Sequence, residues 1–155
     1  SVSYPKEAKE ITKLILSYYP NIKTIADMCA NVGGNSIDFC QNFDFVHSIE
    51  FDKETAEALE HNMNLYKFKN FKVYNMDSNM FNKKVDFYFY DPPWGGENYY
   101  MNVLQALFLG DKNIIDVIKT PFCLKVPNNY NIGKLLTKFN KLHIHKLDKY
   151  IIIIK

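Results

Sequence analysis

The run Asp91-Pro92-Pro93-Trp94-Gly95-Gly96 carries more chemistry than any other stretch of the chain. Two consecutive prolines stiffen the backbone and remove two amide donors, so the groups left to face a ligand are the Asp91 carboxylate and the carbonyls. A surface made of acceptors suits the exocyclic amine of a nucleobase. Trp94 adds a broad flat face, and stacking a base on an aromatic ring is worth roughly 1–3 kcal/mol. Such an amine is a weak nucleophile, because its lone pair is delocalised into the ring. Donating its protons to Asp91 and to the Pro92 carbonyl would localise that pair and aim it at an electrophile. Catalysis of this kind rests on alignment and charge placement, with no strong base required. The plain alternative is a Pro-rich loop with Trp94 plugging a core.

Three acids follow three apolar runs. Asp27 opens the turn Met28-Cys29-Ala30-Asn31-Val32-Gly33-Gly34-Asn35. Glycines there let the backbone approach a ligand and expose amides at a helix start. The spacing is not GxGxxG, and an acid in the turn repels a pyrophosphate; it suits a cation such as the ammonium of an amino acid. Read alone, the turn is equally well an ordinary strand-to-helix connection. Glu50 ends the second run, where an acid can accept from two ribose hydroxyls, while Asp52 is better placed to cap a helix. Asp77 follows the third run and can accept from an adenine amine. Ammonium, ribose and adenine in that order outline S-adenosylmethionine in a class I methyltransferase.

The elements that must position these residues alternate. A helix is predicted over Pro5–Tyr18, where Ala8, Ile11, Leu14, Ile15 and Tyr18 share a face. Strands are predicted at 23–29, 45–51, 71–75, 85–90 and 122–126, and helices at 36–42, 53–66, 114–118 and 132–139. Residues 142–147 and 150–154 read as two strands around a tight turn. This is an α/β chain, a doubly wound, Rossmann-like sheet finished by a C-terminal antiparallel hairpin. Ligands of such sheets bind beyond the carboxyl ends of the strands, where all the residues above fall. The 155 residues are expected to form one domain. Apolar content of 47% and charged content of 23% exclude disorder and a disulfide scaffold. No run is long enough to span a membrane, so no membrane partner is expected. No signal peptide is visible, which points to an intracellular protein.

The net charge is +2, too small to mark a nucleic-acid binder. All 19 basic residues are Lys. A phosphate held here must therefore be held by Lys, amides or neutral donors, without the arginine fork. Cys29, Cys40 and Cys123 lack metal-ligand spacing and read as reduced thiols. His47 reads as a core residue; His143 and His145 share a strand face without carboxylates. No metal is expected.

The motifs, taken in order, resemble the trimethylguanosine synthase family of cap guanine-N2 methyltransferases. Messenger-RNA adenine-N6 enzymes carry DPPW ahead of the cofactor loop, whereas here the loop comes first; ribosomal guanine-N2 enzymes keep the order but usually have Tyr at the position of Trp94. Asp27 to Asn35 is similar to the family's Asp, Cys and Val-Gly-Gly-Asn loop, Ile49-Glu50-Phe51-Asp52 to its IDxD, and Asp91 to Gly96, with Tyr99 beyond, to its PPWGG segment. Ser1 to Glu7 is similar to the segment that closes over the cofactor, within an N-terminal unit over 1–20. Phe122 to Asn129 is similar to a strand ending in Leu-Pro-Arg-Asn.

The resemblance implies S-adenosylmethionine as cofactor, bound by Tyr4, Asp27, Cys29, Gly33, Asn35, Glu50, Asp77 and Asp91. It implies Asp91, Pro92 and Trp94 as catalytic residues, and capped RNA as partner, with Trp94 stacking on the cationic N7-methylguanine. The product would be a 2,7-dimethyl or 2,2,7-trimethyl cap. Asn31 stands where the family has Gly; Asn tolerates left-handed backbone well. Asn128 stands where the family has the Arg that reaches cap phosphates, leaving Lys125 or another Lys to substitute in binding substrate. Ser3-Tyr4 replaces the Thr before Pro5. A minimal enzyme is implied, of the kind a large DNA virus encodes, acting as a monomer or with a protein partner that completes the cap site. Its place would be the nucleus, the cytoplasm or a viral factory. Two other readings stay open: methylation of guanine N2 or adenine N6 in uncapped RNA or DNA, and a cap-binding module that has lost catalysis.

Overall fold

A computed structural model describes residues 2–155. The chain runs α1 (Pro5–Tyr18), β1 (Thr24–Asp27), α2 (Gly34–Asn42), β2 (Phe45–Glu50), α3 (Lys53–Leu65), β3 (Phe71–Asn75), β4 (Phe87–Tyr90), β5 (Phe108–Leu109), β6 (Lys112–Asn113), α4 (Ile114–Val117), β7 (Phe122–Pro127), α5 (Gly133–Lys138), β8 (His143–Lys146) and β9 (Tyr150–Ile154). Seven strands form one sheet in the order β3-β2-β1-β4-β7-β9-β8. The first five pair in parallel, and β9 is antiparallel to both β7 and β8. This is a Rossmann-like sheet, with the antiparallel end expected from the sequence.

β7 and β9 are buried at every position, as strands covered on both faces must be. Alternation then divides the core. Ile151 and Ile153 join the cluster under α4 and α5, with Phe122, Leu124 and Val126. Ile152 and Ile154 join the other, with Ile11 and Ile15 of α1, Phe39 of α2, Leu59 and Met63 of α3, and Cys123. Asp52 caps α3 by accepting from the Thr55 amide at 2.8 Å.

β1 ends two residues earlier than predicted and α2 begins two residues earlier, at Gly34. β4 begins at Phe87, two residues later than predicted, where the Asp86 carboxylate instead accepts from the Lys23 and Thr24 amides at the start of β1. A small hairpin, β5–β6, was not foreseen. It has two residues per strand, too few for an alternating pattern to show. Among the described residues no helix is long and apolar enough to cross a membrane.

Candidate active site

The parallel register brings the carboxyl ends of β1, β2 and β4 level, with Asp27 opposite both Ser48 and Phe89. Above them opens a cleft of about 1020 Å³, large enough for a nucleoside cofactor and a second base. Met28 and Cys29 form its floor after β1. Glu50 follows on the β2 side, Asp77 and Ser78 on the β3 side, and Asp91, Pro93 and Trp94 on the β4 side. The far wall is the unforeseen hairpin, with Phe108 and Asp111. It is anchored by Asn79, whose amide donates to the Leu109 carbonyl at 2.7 Å.

The turn after β1 uses its glycines for two purposes. Gly33 has φ +102°, a conformation costly for any other residue. At Gly34 a Cβ would lie 2.5 Å from the Ser3 carbonyl oxygen, so the N-terminal segment can pack here only against glycine. Asn31 has φ +51°, so it adopts the left-handed backbone that glycine would supply.

Asp27 is completely buried and is not part of the cleft lining. Its Oδ2 accepts from the Ser36 hydroxyl at 2.7 Å, and its Oδ1 has no partner. Burial pushes its pKa up to about 7, with Asp91 and Glu50 adding to the rise. Cys29 lines the cleft as a neutral thiol, its pKa raised by burial. Glu50 lines the cleft but is also engaged locally. It accepts from the Asn31 amide at 2.9 Å and the Asp52 amide at 3.0 Å. Asp77 Oδ1 accepts from the Asn79 amide at 2.9 Å, which starts a short 3₁₀ turn.

At the Pro-rich run Asp91 is nearly enclosed, its side chain 5% exposed, and Pro92 is buried. Burial raises the Asp91 pKa, and the ammonium of Lys125 opposes the rise. Trp94 is half-buried and packs edge-to-face on Tyr99, with ring centroids 5.2 Å apart. Gly95 and Gly96 follow at φ +96° and +84° and carry the chain away from the cleft. Asn129 holds the returning loop by donating to the Tyr99 and Asn102 carbonyls.

Lys125, Asn128, Tyr4 and Asn35 lie outside the cleft lining, as do Asp27, Gly33 and Pro92. Lys125 is not a surface contact for phosphates: it is 2% exposed, and its ammonium lies 3.3 Å from Asp91. The alternation of β7 turns it inward toward α1. Asn128 is exposed, with its amide donating to the Asp148 carbonyl. Tyr4 is 73% exposed and outside the cleft lining; the N-terminal segment meets the site through Ser3 instead. Asn35 is buried and serves that segment, donating to the Ser3 hydroxyl at 2.9 Å. Ser1 lies outside the described residues.

Five carboxylates, Glu50, Asp52, Asp77, Asp91 and Asp111, line the cleft, and among the described residues no basic side chain does. His47 is half-buried and bonded to the Tyr74 hydroxyl, while His145 is bonded to the Tyr18 hydroxyl. Among the described residues no cluster of His, Cys, Asp and Glu is arranged to hold a metal.

A family profile for RNA cap guanine-N2 methyltransferases matches residues 22–146. An uncharacterised protein of Acanthamoeba polyphaga mimivirus is 28% identical, the match covering 95% of this chain and 71% of that protein. Trimethylguanosine synthase of Saccharomyces cerevisiae is 26% identical, with 69% of this chain and 36% of that enzyme covered. The fold is similar to that of a T. thermophilus 16S rRNA N2-guanine methyltransferase in complex with AdoMet and guanosine. Its TM-score is 0.73 at 13% identity, covering 94% of this chain and 41% of that one. A Pyrococcus horikoshii protein, described as a putative RNA methyltransferase, has a TM-score of 0.63 at 20% identity, covering 95% and 81%. The chain thus spans well under half of the yeast and T. thermophilus proteins.

S-adenosylmethionine fits the residues present. It is cationic and the cleft is acidic, its ribose suits Glu50, and the buried, unpartnered Oδ1 of Asp27 is an acceptor suited to positive charge nearby. The chain belongs to the RNA cap guanine-N2 methyltransferase family.

Proposed function

We propose that the chain is an S-adenosylmethionine-dependent methyltransferase of guanine N2 in RNA, that the guanine it methylates is the N7-methylguanosine of an RNA cap, and that the product is a 2,7-dimethyl or 2,2,7-trimethyl cap. The observation that carries this reading is the charge of the cleft: five carboxylates and, among the described residues, no basic one, beside the exposed part of an indole. Such a site favours a base that is itself positively charged over neutral guanine. A cation on an indole face gains about 2 kcal/mol when desolvated.

S-adenosylmethionine supplies an electrophilic methyl on a positively charged sulfur. The chain's own residues do the rest. Glu50 takes the ribose hydroxyls and Asp77 the adenine amine, through Oδ2, since Oδ1 is engaged with Asn79. Trp94 stacks the substrate base on the face turned away from Lys125, whose ammonium lies 5.6 Å from the ring centroid. Asp91 and the Pro92 carbonyl accept from the N2 amine, which fixes its lone pair toward the methyl. The proton that N2 sheds passes to Asp91 or to water. Alignment and preorganised charge supply the rate.

A second reading is favoured by one observation. Lys125 is buried and Asn128 is uncharged, so neither presents a cation to a cap triphosphate. The substrate would then be guanine N2 in uncapped RNA, the reaction named for the T. thermophilus enzyme. Mass analysis of three substrates incubated with S-adenosylmethionine separates the two: N7-methylated cap dinucleotide, its unmethylated counterpart, and uncapped RNA. Methylation of the first alone is expected. Equal rates on the two dinucleotides would refute a cap-specific site, and product on uncapped RNA alone would establish the second reading. Cap binding without product would make the chain a binding module.

A further inference from the structure

β7 reads Phe-Cys-Leu-Lys-Val-Pro and is buried throughout, so a lysine at its fourth position needs an explanation. Lys125 points to the α1 face with Cys123, and its ammonium gathers four elements. It lies 3.3 Å from Asp91 Oδ2, 3.0 Å from the Ser3 hydroxyl and 4.0 Å from Glu7 of α1. It also sits over the ring of Tyr150 in β9, 4.8 Å from the centroid, and over Trp94 at 5.6 Å. An ammonium this deep is tolerated only where opposite charge and hydrogen bonds replace its water. Asp91 is in the same position, because its buried carboxylate is bonded to this one cation.

We propose that Lys125 is a positioning residue for methyl transfer: it keeps Asp91 an ionised, oriented acceptor for the substrate amine and ties that carboxylate to the N-terminal segment through Ser3. This rests on the reading of Asp91 as the amine acceptor. Protonated, Asp91 would offer a donor where the amine needs an acceptor. The groups facing it make that outcome the default. Glu7 from α1, Asp27 from β1, Cys29 from the turn beyond, Cys123 from β7 and Tyr150 from β9 all act on or respond to its charge and favour the proton, while the amino-terminal positive charge joins Lys125 in opposing it. Burial raises the Asp91 pKa and Glu7 raises it further, while Lys125 draws it down. Ser3 accepts from both Lys125 and Asn35, so docking of the N-terminal segment on Gly34 and placement of the reacting carboxylate share one ammonium.

The test follows the Asp91 carboxyl directly by carbon NMR of protein labelled at aspartate, its line identified by loss in Asp91→Asn. The Asp91 midpoint should rise by a pH unit or more in Lys125→Met and fall in Glu7→Gln. The second variant is on a helix surface and leaves the core untouched, so it carries the test if Lys125→Met does not fold. In turnover of N7-methylated cap dinucleotide, Lys125→Met should lower kcat tenfold or more at pH 7 with KM within twofold, and the loss should shrink toward pH 9. A midpoint unmoved in both variants overturns the proposal, as does a kcat loss that is the same at every pH. If the midpoints move as stated while the wild-type protein makes no product, the positioning role stands and the cap reading falls.

Discussion

Asp27 is the residue through which pH should reach the stability of this protein. Its carboxyl is fully buried, one oxygen has no partner, and its pKa is pushed from 3.8 up to about 7. In the unfolded chain the same group ionises near 4. Between roughly pH 4 and 7, then, the folded protein holds a proton that the unfolded chain has released. The stabilisation from that proton is complete below about pH 4, declines by about 1.4 kcal/mol per pH unit, and is gone above about pH 7. Over the whole range the shift amounts to about 4 kcal/mol, with no discount for solvent because the group is inaccessible. Asp27→Asn keeps an acceptor for Ser36 and cannot ionise. Urea unfolding of both proteins from pH 5 to 8 isolates the effect, since other shifted groups, such as Asp52, Asp86 and His47, titrate alike in both. Relative to the variant, the wild type should lose about 2.5 kcal/mol between pH 5 and pH 8. Parallel stability curves would refute the reasoning. Calorimetry extends the test: if Asp27 reads the cofactor's positive charge, affinity for S-adenosylmethionine should rise through pH 7 in the wild type and stay flat in Asp27→Asn.

Three further outcomes are expected. Glu50→Ala removes a ribose acceptor together with the bonds to the Asn31 and Asp52 amides. Calorimetry should show cofactor affinity weakened by about 2–3 kcal/mol, and denaturation a stability loss of about 1–2 kcal/mol, with unchanged affinity rejecting the ribose role. Trp94→Ala should abolish substrate binding with cofactor affinity nearly kept, whereas Asp91→Ala should leave substrate affinity and lower the rate roughly a hundredfold, a split that binding and single-turnover measurements resolve. At φ +51°, Asn31→Gly should change stability by less than about 1 kcal/mol, while Asn31→Val should lose about 1–2 kcal/mol, both measured by urea unfolding.

The strands of the parallel core were legible because burial on both faces leaves apolar runs, and Asp52 was legible as a cap because its role depends only on the residues beside it. Asp27 and Glu50 end β1 and β2 and Asp91 follows β4 directly, because strand ends fix where a side chain emerges. What escaped depends on contacts between distant segments. The turn Gly110-Asp111, with Gly110 at φ +64°, is a hairpin signal that strands of two residues are too short to support, yet this hairpin walls the cleft and brings Asp111 into it. Tyr4 attracts notice as an aromatic in the closing segment, but the small Ser3 makes the contact, because only a small residue fits against Gly34. Lys125 is the most instructive case. Its type suggests a phosphate, and the missing arginine at 128 invites that assignment. Its neighbours tell otherwise, for a lysine between Leu124 and Val126 in a strand buried on both faces must turn to the interior, where its partner can only be another buried charge. On the α1 side of the sheet that charge is Asp91, so the cation missing from the cleft stands behind the carboxylate that works in it.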